Sequence, residues 1–248
     1  MEFEGKRVLV TGGTRGVGRS IVEEFLKAGA QVAINGTSGT SVDKALAQLE
    51  GCGKVVPAPG DLGTAEGCRR TVDATLDGLG GIDVLVNNAG VNRDGPLLDM
   101  SEADWDQVLN VNLKGPFELC KTAYPVLKKR GGGSIIHISS IGGLTPESGI
   151  GIYSVSKAAI INMTKAMAQD WGTDNIRVNA ICPGLIETKF SEALWNDETT
   201  LERFVKRIPL GRIGEADDIK GLAVYLACDA SAYCTGGVYM VDGGYAAN

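Results

Sequence analysis

The chain has 248 residues, of which 22% are charged and 44% hydrophobic, a size and balance that suit one folded α/β unit and argue against disorder. Its formal net charge is −6, and the one short basic run, Lys128-Lys129-Arg130, falls where a helix closes and cations suit the helix dipole, so a nucleic-acid footprint is excluded. No stretch approaches the roughly 20 apolar residues of a membrane span, and the opening Met-Glu-Phe-Glu-Gly-Lys-Arg is no secretion signal, so a cytoplasmic protein without membrane contact is expected.

Short apolar runs alternate with stretches of helical period. Residues 7–10 read as a buried strand, followed by a glycine-rich turn and a helix whose apolar positions 21, 22, 25 and 26 share one face, with Gly29 ending it. Strands at 32–34 and 55–56 alternate with helices near 41–50 and 65–78. A strand at 84–86 precedes a long helical stretch from about 102 to 129. Further strands at 134–139, 177–181 and 238–241 enclose a helix from about 153 to 172 and helices within 188–230. This β-α-β alternation predicts the α/β class: a single Rossmann-like, doubly wound parallel sheet of about seven strands spanning residues 1–248, with helices on both faces. Ligands are then expected at the carboxyl ends of the strands.

Glycine is over-represented, with 35 residues, roughly twice ordinary usage. Without a Gly-X-Y period, and with only 8 prolines, these glycines point to tight turns and close backbone approaches. Six scattered cysteines, with no C-x-x-C pair, read as reduced and mostly packed thiols. No clustered ligands suggest a metal, and the single histidine, His137, lies between isoleucines as a satisfied strand residue. No G-x-S-x-G accompanies it, which speaks against serine–histidine hydrolysis.

The first turn, Thr11-Gly12-Gly13-Thr14-Arg15-Gly16-Val17-Gly18, brings backbone N–H groups and a helix N-terminus together, the means of binding a pyrophosphate. Gly12, Thr14, Arg15, Gly16, Val17 and Gly18 are therefore candidate cofactor contacts. At the end of the second strand an NAD site usually carries a carboxylate for the ribose hydroxyls. Here the stretch is Ile34-Asn35-Gly36-Thr37-Ser38, with Asn35 and Thr37 as candidate contacts and nothing to repel a 2′-phosphate. Arg15 supplies a cation for that phosphate, so NADP(H) is expected, with NAD(H) the alternative. Tyr153 and Lys157, four residues apart, share a helix face. A lysine cation there is expected to pull the tyrosine down from its ordinary pKa near 10, making a general acid/base.

The glycine turn, Asn87-Asn88-Ala89-Gly90, Asn112, Ser140, Tyr153-x-x-x-Lys157 and Pro183-Gly184 occur in this order, and together they resemble the short-chain dehydrogenase/reductase family over essentially the whole chain. The resemblance implies a hydride transfer between nicotinamide and a ketone or secondary alcohol. It implies that Tyr153 moves the proton, that Ser140 rather than its neighbour Ser139 steadies the substrate oxygen, that Lys157 also holds the nicotinamide ribose, and that Asn112 anchors a water in a proton relay. It further places Asp61 and Leu62 beside the adenine, Asn88, Ala89 and Gly90 along the cofactor ribose, and Ile186 and Thr188 at the nicotinamide carboxamide, with Pro183 and Gly184 also among the cofactor-binding residues.

The stretch Gly184-Leu185-Ile186-x-Thr188-x-Phe190-Ser191…Leu194-Trp195 resembles broad carbonyl reductases. The glycine loop with Arg15 and the neutral second-strand end resembles the 3-oxoacyl-carrier-protein reductases instead, although the acidic turn Gly172-Thr173-Asp174-Asn175 suits an acidic carrier poorly. A non-catalytic, cofactor-sensing regulator is the alternative of another class, and such proteins typically lose the tyrosine or lysine kept here. Phe190, Leu194 and Trp195 are expected on one helical face as an apolar lid, with Leu144, Pro146 and Ile150 adding to the pocket wall. The apolar surplus of the helices near 102–129 and 153–172 suggests pairing across two-fold axes into a homotetramer.

Overall fold

A computed structural model describes residues 3–247, so Met1 and Glu2, which begin the stretch read for a secretion signal, lie outside the described residues. Seven strands form one sheet: β1 (Arg7–Val10), β2 (Gln31–Ile34), β3 (Val55–Pro57), β4 (Val84–Asn87), β5 (Gly133–Ile138), β6 (Ile176–Pro183) and β7 (Val238–Val241). All neighbours are parallel, in the order β3-β2-β1-β4-β5-β6-β7. The order reverses between β1 and β4, which opens a crevice at their carboxyl ends.

Strand alternation divides the core into two layers. Val8 and Val10 face one side with Ile21, Val22 and Phe25 of helix α1 (Gly16–Lys27) and with Ile219, Ala223 and Leu226 of the helix at Asp217–Ala227. Leu9, between them, faces the other side with Leu85, Ile135 and Val178, under side chains of the helices at Ala65–Leu79 and Gly115–Lys129. Both faces are dry, which is why these strands read as nearly unbroken apolar runs.

The remaining helices are α2 (Gly39–Gln48), α3 (Ala65–Leu79), α4 (Glu102–Leu109), α5 (Gly115–Lys129), α6 (Gly151–Trp171), α7 (Glu192–Trp195), α8 (Glu198–Val205) and α9 (Asp217–Ala227). The long helical stretch expected over 102–129 is interrupted: a π-helical turn at Asn110–Lys114 joins α4 to α5. Local periodicity does not announce this turn. Its consequence is that Asn112 is buried and its amide faces the segment after β4.

Two residues of the basic run at the end of α5, Lys128 and Arg130, form ion pairs. Arg130 and Arg7 both bind Asp83, with Nε–Oδ distances of 2.8 Å each, and Asp83 also accepts from the Arg7 backbone N–H at 2.8 Å. Asp83 thereby clamps the start of β1 to the approach of β4 and the end of α5. Asp83→Ala leaves the partly buried Arg7 without its partner and should cost about 2 kcal/mol of stability, read by urea denaturation. A loss under about 0.5 kcal/mol would class the cluster with exposed ion pairs.

Candidate active site

At the crevice lies one cleft of about 740 Å³. Every cofactor-binding residue named from the sequence lines it, as do Ser140, Tyr153 and Lys157, whereas Asn112 lies behind the wall.

The glycine turn shapes one end. Gly12 has φ +60°, and a Cβ at Gly18 would stand 2.3 Å from the Gly12 carbonyl oxygen and 2.4 Å from Asn88 Nδ2, so no larger residue fits there without displacing backbone. Asn88 Nδ2 donates to the carbonyls of Thr11 (2.9 Å) and Gly12 (3.2 Å), and Thr11 Oγ1 accepts from the N–H groups of Asn88 and Ala89. These bonds join the ends of β1 and β4 across the crevice. Helices α2, α3, α4 and α8 each have a side-chain cap, from Ser38, Thr64, Ser101 and Asp197. Helix α1 has none and carries no acidic residue in its first turn, leaving its N–H groups for an anion such as a pyrophosphate.

Asn35 is placed differently from expectation in one respect. It borders the cleft, but its amide is spent inside the protein, accepting from Gly12 N (3.4 Å) and donating to the carbonyls of Ala58 (3.0 Å) and Gly60 (3.1 Å). It positions the glycine turn. Ser38 and Ser41, which were not singled out in the sequence, join Thr14, Arg15 and Thr37 along this end of the cleft, at the start of α2. The signal was the Ser-x-x-Ser cap pattern, readable as helix punctuation but not as a ligand contact. Arg15 is exposed and forms no ion pair among the described residues. Asp61 accepts from Gly63 N at 2.9 Å, while Thr64 caps α3.

At the other end, the two serines after β5 separate cleanly. Ser139 Oγ is buried and donates to the Lys157 carbonyl at 2.9 Å. Ser140 Oγ accepts from Gly142 N at 3.0 Å and hydrogen-bonds the Tyr153 phenol in the cleft. Lys157 Nζ donates to the Ile138 carbonyl at 2.8 Å and lies 5.4 Å from the centre of the Tyr153 ring. Asn112 Oδ1 accepts from Val91 N and its Nδ2 donates to Val91 O, both at 2.8 Å, and also to Ser156 Oγ at 3.0 Å.

Electrostatics depart from the simple expectation for the pair. Burial pushes the Tyr153 phenol up to about 12, opposed by the Ser140 hydrogen bond, and burial pulls Lys157 down to about 8. Desolvation disfavours both charged forms and outweighs the help a nearby cation would give a phenolate. His137 is driven down to about 3, chiefly by burial, so it stays neutral and is no base at ordinary pH. Its Nδ1 lies 3.3 Å from Asn87 Nδ2 but its Nε2 has no partner, so it is only half satisfied.

The lid differs from the sequence expectation. Helix α7 spans only Glu192–Trp195, so Phe190 precedes it and the three apolar residues do not share one helical face. The Ser191 hydroxyl binds the carbonyls of Ile186 and Thr188, and Trp195 Nε1 donates to Thr188 O at 3.0 Å, which folds the segment into a compact turn. Phe190 lies against Tyr153, ring centres 5.8 Å apart, and Leu194 lines the cleft. Of the other expected wall residues only Ile150 lines it, while Leu144 is half-exposed. Missed from the sequence were Asn92, Asp94, Gln107, Glu147 and Phe204, brought to the cleft from distant segments.

Among the described residues no cluster suited to a metal ion occurs, and no helix is long and apolar enough to cross a membrane. A family model described as enoyl-(acyl carrier protein) reductase matches residues 12–246. The 3-oxoacyl-[acyl-carrier-protein] reductase FabG of Thermotoga maritima is 40% identical over 98% of this chain and 99% of its own length. Dehydrogenase/reductase SDR family member 4 of Caenorhabditis elegans is 39% identical over 98% of this chain and 95% of its own. The crystal structure of a gluconate 5-dehydrogenase from Burkholderia cenocepacia, in complex with NADP and tartrate, superposes with a TM-score of 0.95 at 32% identity, covering 100% of this chain and 97% of that one. The ordered motifs, the parallel sheet and these likenesses place the chain in the short-chain dehydrogenase/reductase family.

Proposed function

We propose that the protein is an NADP(H)-dependent oxidoreductase acting on a ketone or secondary alcohol, with Tyr153 as general acid/base. The observation that carries this reading is the convergence of Ser140, Tyr153 and Lys157 at one end of a cleft whose other end is an uncapped helix N-terminus behind a glycine turn. When bound, nicotinamide supplies or accepts the hydride, which no side chain can do. Ser140 and Tyr153 donate to the substrate oxygen, and the Tyr153 proton passes to that oxygen as negative charge develops on it. With Tyr153 near 12 and Lys157 near 8, both are protonated at neutral pH, the state that carbonyl reduction requires. The cation of Lys157 stabilises the phenolate left behind, and Asn112, bonded to Val91 and Ser156, holds the wall beside it. Gly90 lies in the cleft wall between them: a Cβ there would be 3.4 Å from Asn112 Oδ1 and 3.6 Å from Lys157 Nζ.

The NADP preference is read from Arg15, Thr37, Ser38 and Ser41 meeting at a cleft end where the second strand offers no carboxylate. NADP bound to the gluconate 5-dehydrogenase accords with it. The test is consumption of NADPH against NADH with a reactive diketone. Arg15→Ala should lower kcat/KM for NADPH about 10- to 100-fold and leave NADH little affected, the scale of one charge-assisted hydrogen bond. Equal losses with both cofactors would overturn the assignment of Arg15.

The likeness to FabG supports a second reading, a 3-oxoacyl-carrier-protein reductase. The acidic turn that counted against a carrier is internally paired, since Asp174 accepts from the Tyr124 hydroxyl and lies 3.0 Å from Lys128 Nζ. An acetoacetyl thioester on carrier protein, offered beside the free diketone, separates the two readings by kcat/KM. The inferred assembly is a homotetramer, supported by the exposed Trp105 of α4, Phe117 of α5 and Val155 of α6.

A further inference from the structure

On the substrate side of the cleft, one side chain has no part in the chemistry above. Glu147, from the loop between β5 and α6, lines the cavity, as do the apolar Ile141, Ile150, Leu194 and Phe204 and the polar Asn92, Asp94 and Gln107. Its Oε1 accepts from the Tyr245 hydroxyl and from Arg207 Nη1, the latter at 3.2 Å. The Arg207 guanidinium lies 4.2 Å over the Tyr245 ring, and that ring stacks on Phe204 with centres 5.7 Å apart. Three segments distant in sequence thus converge on one carboxylate and fix its position.

Burial, with the nearby carboxylate, pushes the Tyr245 phenol up to about 12, so it remains a donor throughout the physiological range. Both bonds fall on Oε1, and among the described residues no hydrogen bond engages Oε2. An ionised carboxylate has about four acceptor sites, so this one retains capacity for a donor. The Glu147 side chain is only 22% exposed, where bulk water satisfies it poorly. Asp94, also lining the cleft, accepts from its near neighbour Asn92 Nδ2 at 2.7 Å, and among the described residues no distant segment fixes it as Tyr245 and Arg207 fix Glu147.

We propose that Glu147 is a substrate-recognition site that accepts a hydrogen bond from a hydroxyl group carried away from the reacting carbon. The substrates it favours are hydroxylated ketones and the polyols they form, and it disfavours a carboxylate at that place, which would set acceptor against acceptor at Oε2 with no proton to share. This rests on the reading of Tyr153 as the reacting end of the cleft. Lys189, exposed on the same side, is the group that would favour an anionic substrate, and the test sets the two against each other.

The protein loaded with NADPH, with which alcohols form only dead-end complexes, is titrated calorimetrically with a short polyol and with the hydroxy acid of equal chain length. Wild type should bind the polyol about tenfold more tightly than the acid. Glu147→Gln, nearly isosteric, should narrow that ratio to about threefold or less by improving the acid, and Glu147→Leu should weaken the polyol about tenfold. Tyr245→Phe should reduce the discrimination by freeing the carboxylate. Tighter binding of the acid by wild type, or unchanged polyol affinity in Glu147→Leu with an unaltered melting curve, would overturn the proposal. Turnover of a diketone is measured alongside. Its absence in wild type would count against the broad ketone-reducing reading and favour the carrier-protein one, while the titrations still decide the role of Glu147.

Discussion

Tyr153→Phe should lower kcat for ketone reduction by two to four orders of magnitude while leaving the dissociation constant of NADPH within a few-fold of wild type. The ring keeps its place, packed 5.8 Å from Phe190 and 5.4 Å from Lys157 Nζ, and only the hydroxyl that hydrogen-bonds Ser140 is removed. Loss of a positioned general acid is worth roughly 10²–10⁴ in rate. Because the residues proposed to contact the cofactor line the whole cleft, binding should survive. Steady-state rates and a fluorescence titration of NADPH provide the two numbers. Activity within tenfold of wild type would transfer the acid role to Ser140 or to water. In the oxidation direction the wild-type rate should rise with pH toward the tyrosine pKa, because the base is the phenolate that burial disfavours.

Lys157→Met should abolish most activity and yet stabilise the cofactor-free protein at neutral pH. Burial pulls Lys157 from an ordinary value of 10.5 down to about 8, so at pH 7 the folded state keeps a cation that desolvation opposes, at a cost of about 3 kcal/mol. Methionine removes that cost but leaves the Ile138 carbonyl without its donor, which returns about 1 kcal/mol. The net gain, about 2 kcal/mol, corresponds to a rise of about 5 °C in Tm. The sign follows from proton linkage. Below pH 8 both states bind the proton and the penalty is full; between 8 and 10.5 the unfolded state binds more, so wild type gains stability as pH rises. The difference between variant and wild type should therefore shrink above pH 8 and vanish near pH 10. A variant less stable than wild type at pH 7, or a difference independent of pH, would refute this. Such a residue is retained for function at the expense of stability.

Where chemistry is local, it was legible in the chain. The turn Thr11–Gly18 needs only its own glycines and the strand and helix around it, and Tyr153 and Lys157 need only one helical turn between them. The parallel sheet was legible as well, because strands covered on both faces, such as Val8-Leu9-Val10, must be apolar at every position.

What long-range packing decides was not legible. The π-helical turn at Asn110–Lys114 lies within an ordinary helical pattern, and its amide partner, Val91, is 21 residues away. Phe190 and Leu194 have helical spacing, but the Ser191 and Trp195 bonds to nearby carbonyls end the helix after four residues. Asn35 sits where a ligand contact is expected, yet its amide is consumed by Gly12, Ala58 and Gly60.

The protonation of the tyrosine–lysine pair followed the same division. Spacing shows that the groups are close, but only burial tells whether attraction between charges or loss of solvation dominates, and here desolvation does. The sequence by itself determined the family, through motifs kept in order from Thr11 to Gly184, and the sheet, through its unbroken apolar strand runs, and it named the residues proposed to bind a dinucleotide and move a proton. Only the tertiary structure decided the wall proposed to meet the substrate, where Glu147, Arg207 and Tyr245 meet from segments 60 and 98 residues apart. No local pattern encodes a contact made solely by how the layers close over one another.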